Sequence, residues 1–186
     1  MGDVEKAEGL FRSGCACSQA VLGTYGPRFR LNEDEAMRVS AGFAGGMRMA
    51  DTCGAVTGAF MVLGLAYCDE ECRTAEGRKR AYEKVVSFAE EFKARHGSLA
   101  CRELLGCDIS TAEGARLATE KGLFRSKCPE LVRSAAEIVE ARLPNAQKLG
   151  ALERRDADRA QAALVRPAEV PPCAPAGRTD GGPLPR

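Results

Sequence analysis

Residues 53–67 read CGAVTGAFMVLGLAY, and the thirteen from Ala55 to Tyr67 carry no charge, interrupted only by Thr57, Gly58 and Gly64. A membrane span needs roughly 20 such residues, so this stretch predicts a helix buried inside a globular domain. Gly54 and Gly58 are four apart and therefore share one helix face. Nothing projects from that face, so another backbone, or a bulky cofactor bound at Gly54 and Gly58, can approach closely. Tight helix–helix packing is the plainer use of such a surface.

The flanking sequence is helical in both directions. Upstream, Asp3 is placed to cap a helix carrying Val4, Ala7, Leu10 and Phe11, broken at Ser13-Gly14. A second runs through Cys17, Ala20, Val21 and Tyr25 to Gly26-Pro27. Asn32 and Glu35 form a capping-box pattern before Ala36, Val39 and Ser40. Gly42, Gly45 and Gly46 interrupt that helix, and Asp51-Thr52 offers a cap for the central one. Downstream, Thr74 opens a long helix with Ala81, Val85, Phe88, Ala89 and Phe92 on one face, stopped by Gly97. There His96, protonated, suits the negative end of the dipole. Ser98 caps a short helix from Leu99 to Leu105, Gly106 stops it, and another runs from Ser110 to Lys121. Pro129 fits the first position of a last helix ending near Leu143-Pro144. No segment alternates with a two-residue period. The expected fold is all-α: a compact multi-helix bundle around a central apolar, glycine-containing helix, spanning residues 1–143.

Residues 144–186 differ in texture, with no aromatic residue and seven of the nine prolines. Alanine, leucine and charge recur at helical spacing between Gln147 and Val165, while 166–186 has too little apolar surface to offset its ordering entropy. A partly helical, mostly disordered tail is expected.

Over all 186 residues, 45% are hydrophobic and 28% charged, enough for a real core, and the net charge of +1 gives no reason to expect nucleic acid or a membrane surface as partner. His96 is the only histidine, which excludes HExxH zinc chemistry. GFAGGM lacks the lysine and hydroxyl residue of a phosphate-binding loop. The N-terminal MGDVEKAEGLF is acidic and amphipathic rather than signal-like, so a cytoplasmic location with reduced thiols is expected.

Nine cysteines are the anomaly. Four fall at predicted helix starts: Cys17 after the Ser13-Gly14 break, Cys53 opening the central helix, Cys101 after Ser98, and Cys128 before Pro129. A helix N-terminus offers unpaired amides and partial positive charge, both of which favour thiolate and lower a thiol pKa. Four such thiolates on four helices can converge. A single cysteine in a helical protein is more often a small buried hydrophobe, and Cys15, Cys68, Cys72, Cys107 and Cys173 are read as that or as simply exposed. Cys68 and Cys72 sit in the acidic CDEEC, which disfavours a thiolate. No CxxC occurs, so no thioredoxin motif or zinc ribbon is indicated.

The strings SGCACSQAVLGTYG, GFAGGMRMADTCGAVTGAFMVLGLAY, CRELLGCDIS and CPELVRSAAEIVE closely resemble, in order and over about residues 5–142, the C-GCAxxG-C-C family, described as redox-active. TCGAVTG fits its CGAxxG core, and the resemblance places its four signature cysteines at Cys17, Cys53, Cys101 and Cys128. It implies a small, largely helical protein. Selenocysteine in some relatives implies thiol chemistry, and fusion of a related domain to haem-bearing modules implies electron transfer. This chain lacks CxxCH, so no covalent haem is expected.

Three functional readings stay open. In thiol redox chemistry Cys53 attacks, one of Cys17, Cys101 or Cys128 resolves the mixed disulfide, and Arg102 adds positive potential; the partner is a redox protein or a small thiol or disulfide. In a metallocluster the four cysteines ligate an iron–sulfur cluster or zinc, with Gly54 and Gly58 making room for its sulfides. In the third the chain is a non-enzymatic helical adaptor with packed cysteines. A homodimer is compatible with each.

Overall fold

The computed structural model describes residues 2–68 and 70–144, and the expected tail, with Cys173 and the helical spacing at 147–165, lies outside them. Eight α-helices are present among these residues, and no strand: α1 (Asp3–Arg12), α2 (Cys17–Tyr25), α3 (Glu33–Ser40), α4 (Gly54–Tyr67), α5 (Ala75–His96), α6 (Cys101–Leu105), α7 (Ala112–Glu120) and α8 (Leu123–Arg142). None is long and apolar enough to cross a membrane.

The apolar run of α4 is the hub, as expected. It packs against α2, α5 and α8, and Val56, Ala59, Val62 and Leu63 are fully buried. From α5, Phe88 and Phe92 close the core, Phe88 meeting Phe60 edge-on at 5.7 Å and stacking on Phe92 at 5.9 Å. From α8 come Leu131, Val132, Ala135, Ile138 and Val139. The Tyr25 ring is fully buried at the end of α2, and its hydroxyl donates to the Ala136 carbonyl at 3.2 Å, satisfying a group that would otherwise be costly to bury. Arg133 of α8 bridges Glu5 and Glu8 of α1 across the outside.

Caps explain most helix ends. Asn32 accepts from the Asp34 and Glu35 amides, Thr74 from Gly77, and Thr111, rather than Ser110, from Gly114. Gly97, Gly106 and Gly122 take left-handed φ of 84°, 66° and 65° at the breaks. At α1 the cap position belongs to Gly2, one residue before Asp3.

Two expectations are corrected. Pro129 does not open the last helix: α8 begins at Leu123 and carries Pro129 inside it. The left-handed Gly122 sets the start, and Ser126 returns its hydroxyl to the Gly122 carbonyl at 3.0 Å. The buried face from Pro129 to Val139 holds the helix across a proline that removes one backbone donor. His96 is not a protonated cap. Its Nε2 lies 2.8 Å from the Ser134 hydroxyl and its ring 4.6 Å from that of Phe92. Burial, with Lys127 and Arg95 nearby, pushes its pKa down and favours the neutral ring.

Candidate functional site: a thiol cluster at the head of the central helix

Gly54 and Gly58 of α4 decide how α2 is seated. A side chain at Gly58 would stand 2.9 Å from the Ser18 carbonyl oxygen, 3.0 Å from Val21 Cβ and 3.2 Å from Ser18 Cα. The glycine there is a requirement of close backbone approach, so of its two readings helix packing is the one the geometry displays. At Gly54 a side chain would clash with the sulfur of Cys17 and stand 3.1 Å from the Phe43 carbonyl oxygen. The missing side chain of Gly54 is therefore the space the Cys17 sulfur uses, directly beside Cys53.

Residues next to Cys17 fix its helix in place. Ser18 donates to the Ser40 carbonyl at 2.7 Å, and Gln19 donates to the Met37 carbonyl at 2.9 Å while accepting the Ala16 amide at 2.9 Å. Both carbonyls belong to α3, so the short CSQ run anchors the start of α2 against that helix. Cys17 is the first residue of α2, as the sequence predicts.

Cys53 and Cys101 are stitched together by backbone. An isolated antiparallel bridge pairs Thr52 with Ala100. Across it the Cys53 amide donates to the Leu99 carbonyl at 2.8 Å and the Cys101 amide to the Asp51 carbonyl at 2.6 Å. Cys53 is thereby the N-cap of α4 and Cys101 the first residue of α6. Ser98 accepts the Ala100 amide at 2.9 Å and donates to Glu103, turning the chain into α6.

Ahead of this bridge the chain makes a left-handed turn. Gly45, Gly46, Met47, Arg48 and Ala50 have φ of 61°, 62°, 54°, 63° and 52°. For a residue with a side chain this conformation costs about 1–2 kcal/mol, so Met47, Arg48 and Ala50 are strained. Gly46 has no alternative, because a Cβ there would run into the backbone of Asp51. Arg102 braces the turn from α6: its Nε donates to the Ala50 carbonyl at 3.1 Å and its Nη2 to the Met49 carbonyl at 2.8 Å, with the Asp108 carboxylate 3.8 Å from Nη1. Arg102, expected to add positive potential, also has a mechanical role here. The glycine pair in GFAGGM signals a turn in the sequence; the left-handed Met47 and Arg48 give no signal of their own.

Cys128 reaches the site from the body of α8, five residues inside the helix, not from an N-cap. The thiols of Cys17, Cys53, Cys101 and Cys128 are close enough for ionisation of one to oppose ionisation of another. Among thiols, Cys17 exerts the largest such effect at each of the other three. Cys107, set aside in the sequence, belongs to the same group, acting on Cys101 and Cys128. The six-residue step between Cys101 and Cys107 across a glycine-stopped helix is the signal that could have included it.

Ionisation runs opposite to the helix-start expectation at three of the four thiols. Cys53 and Cys101 are only 4% and 6% exposed. Burial pushes the Cys53 thiol well up, with Cys17 adding to it and the Ala55 amide pulling the other way. Burial and then Cys17 raise Cys101 to about 11 and Cys128 to about 12. Desolvation of a charge outweighs a helix terminus, and Cys128 is not at a terminus at all. Burial thus favours the protonated form of the Cys53 thiol, whereas Cys17 is half-exposed. Cys15, Cys17, Cys53, Cys72, Cys101, Cys107 and Cys128 are free thiols. Among the described residues no group of three or more His, Cys, Asp or Glu side chains is arranged to hold a metal ion.

The family model described as "Putative redox-active protein (C_GCAxxG_C_C)" matches residues 15–142. No curated protein and no solved structure matches the chain.

Proposed function

Because the chain belongs to the C_GCAxxG_C_C family of redox-active proteins, we propose that it is a dithiol oxidoreductase in which Cys17 pairs reversibly with Cys53, Cys101 or Cys128. The observation that carries this is the seat of the Cys17 sulfur in the space left by Gly54. It puts one partly accessible thiol next to Cys53 and makes it the thiol the other three feel most.

In the forward direction a Cys17 thiolate attacks an external disulfide, forming a mixed disulfide and releasing one thiolate. A second cluster thiol, losing its proton, attacks the Cys17 sulfur and displaces the other thiolate. The protein gives up two electrons and two protons, and the external disulfide becomes two thiols. Thiolates at Cys17, Cys53, Cys101 and Cys128 as metal ligands would need a shared focus, which the described side chains do not form.

The test is disulfide mapping. The reduced full chain is oxidised with glutathione disulfide, free thiols are alkylated and the peptides identified by mass. Cys17 is expected in a disulfide with one of the three partners, and Cys17→Ser should leave those partners reduced. Oxidised protein with Cys17 still free refutes the proposal.

A further inference from the structure

The approach to Cys17 is lined by apolar side chains that the fold leaves in water. Val39, Phe43 and Met49 are 57%, 37% and 58% exposed. All three lie in the stretch from α3 through the left-handed turn, where Ala36, Ser40 and Ala50 are fully buried. The backbone is thus anchored at intervals, and the exposed groups are carried on a fixed surface.

This stretch forms one wall beside Cys17. The Phe43 carbonyl oxygen and Ala44 Cα stand 3.1 Å and 3.2 Å from the point where a Gly54 side chain would begin, and the Cys17 sulfur crowds that same point. Ser18 and Gln19, which follow Cys17, donate to the Ser40 and Met37 carbonyls. The start of α2 is therefore tied to the end of α3, with half-exposed Cys17 at the seam. The turn Ala41–Phe43 packs in its turn against Gly46–Ala50, the segment bearing Met49.

The same stretch is positively charged. Arg38 and Arg48 are exposed, and among the described residues neither has an ion-pair partner. Arg48 folds back over the glycine turn, its Nη1 3.6 Å from where a Gly45 side chain would begin. The only acidic residue between 36 and 68, Asp51, lies past the turn at the bridge to α6. Exposed apolar groups on a fixed backbone beside a reactive thiol mark a contact surface, and unpaired arginines give it a preference for negative charge. A small disulfide exchanging at Cys17 gains nothing from side chains spread over residues 38–49, whereas a polypeptide does.

We infer that Arg38, Val39, Phe43, Arg48 and Met49 form the docking face for a protein disulfide whose cysteine is flanked by an apolar residue and by acidic ones. This rests on the dithiol function proposed above and names its partner class. With the partner seated, the Cys17 thiolate attacks the nearer sulfur of its disulfide; that S–S bond breaks, a mixed disulfide forms and one partner thiolate leaves. A second cluster thiol, giving its proton to solvent, then attacks the Cys17 sulfur and displaces the other partner thiolate. The partner gains two electrons and, from solvent, two protons, and this chain retains one disulfide that includes Cys17.

The experiment follows loss of free Cys17 in the reduced full chain by quenched alkylation and peptide mass mapping. Three oxidants are compared: a disulfide-linked peptide with leucine and glutamates around its cysteine, the same peptide with lysines for glutamates, and neutral hydroxyethyl disulfide. The acidic peptide should react at least about tenfold faster than the basic one at low salt, and the gap should close near 1 M salt, where charges are screened beyond about 3 Å. Arg38→Glu with Arg48→Glu should reverse the preference. Val39→Ser with Met49→Ser should slow the acidic peptide several-fold, while hydroxyethyl disulfide, which reports an intact cluster, keeps its wild-type rate in both double variants. Equal rates for the two peptides, or rates that neither double variant alters, would overturn the docking face while leaving disulfides of Cys17 intact. Oxidation of the chain with Cys17 still free removes the underlying function instead.

Discussion

Replacing Gly54 with alanine separates the redox geometry of this protein from its stability. The new Cβ would collide with the Cys17 sulfur, a side-chain atom, and press to 3.1 Å from the Phe43 carbonyl oxygen and 3.2 Å from Ala44 Cα. Overfilling a packed site costs about 1–3 kcal/mol, and removing a helical glycine returns about 0.5–1 kcal/mol. Because the sulfur can swing aside by rotation about χ1, the lower part of the range applies, a net loss of at most about 1 kcal/mol. That lowers Tm by at most about 2–4 °C for a domain of this size. The redox effect is much larger, because the Cys17 sulfur no longer sits beside Cys53. Rates of Cys17 disulfide formation, followed by quenched alkylation, should fall well beyond what that stability change explains. Gly58→Ala provides the contrast. Its Cβ meets the Ser18 backbone oxygen at 2.9 Å, which no side-chain rotation relieves, so α2 must shift and stability falls by about 2–3 kcal/mol. Combining Gly54→Ala with Cys17→Ala should recover most of the single-variant loss, a coupling measurable by a double-mutant cycle. Wild-type oxidation rates and Tm in Gly54→Ala would refute the claim that this glycine exists to seat the sulfur.

Three other outcomes test the framework. Arg102→Ala removes two charge-assisted hydrogen bonds to the Met49 and Ala50 carbonyls; with the guanidinium half in solvent a loss of about 1–2 kcal/mol is expected, with amide exchange quickening first at residues 45–51, and uniform exchange across the chain would contradict it. Phe88→Ala opens the core beneath α4 and should cost about 3–5 kcal/mol, read from urea denaturation; a loss below about 1 kcal/mol would show that the face is not packed as described. Cys101 and Cys128 are raised to about 11 and about 12, against about 8.5 in an unfolded chain. Below that value neither state ionises and these thiols give no pH dependence. Above it the unfolded chain loses its protons first, so stability falls as pH rises until the folded values are passed. Reduced wild type should therefore lose stability more steeply than Cys101→Ser between about pH 9 and about 11, and parallel curves would show that burial does not hold this thiol neutral.

Much of the fold is legible because local chemistry and packing agree. The uncharged run of α4 has one physical solution in water, and Asn32, Thr74, Gly97 and Gly106 punctuate helices with side-chain oxygens or left-handed backbone that few other residues supply as cheaply. The start of α8 is misread for the converse reason. Proline at a first helical position is a local preference, while the buried face of Leu131, Val132 and Ala135 is a tertiary one strong enough to carry the helix past it. Gly54 and Gly58 advertise a close approach in the sequence but not what approaches; that depends on α2, thirty residues away and more. Convergence of Cys17, Cys53, Cys101 and Cys128 is visible only as a pattern, and the left-handed turn that sets the approach to Cys53 is invisible at Met47 and Arg48.

The ionisation states were hidden for a deeper reason, which also bears on the direction of electron flow. A helix start is a local feature that sequence can locate, whereas desolvation depends on how many other elements close over the sulfur. At Cys53 α4 contributes its amides, yet α2, the Thr52–Ala100 bridge and the glycine-rich approach leave it 4% exposed. Dithiols become strong oxidants when their reduced form is stabilised as thiolate. Cys53, Cys101 and Cys128 receive no such stabilisation at neutral pH, because burial keeps them protonated. A disulfide formed among these thiols is correspondingly not driven back to the reduced state by ionisation. For the dithiol function proposed above, this favours electron donation over disulfide delivery, with its rate governed by the few sulfurs that solvent reaches.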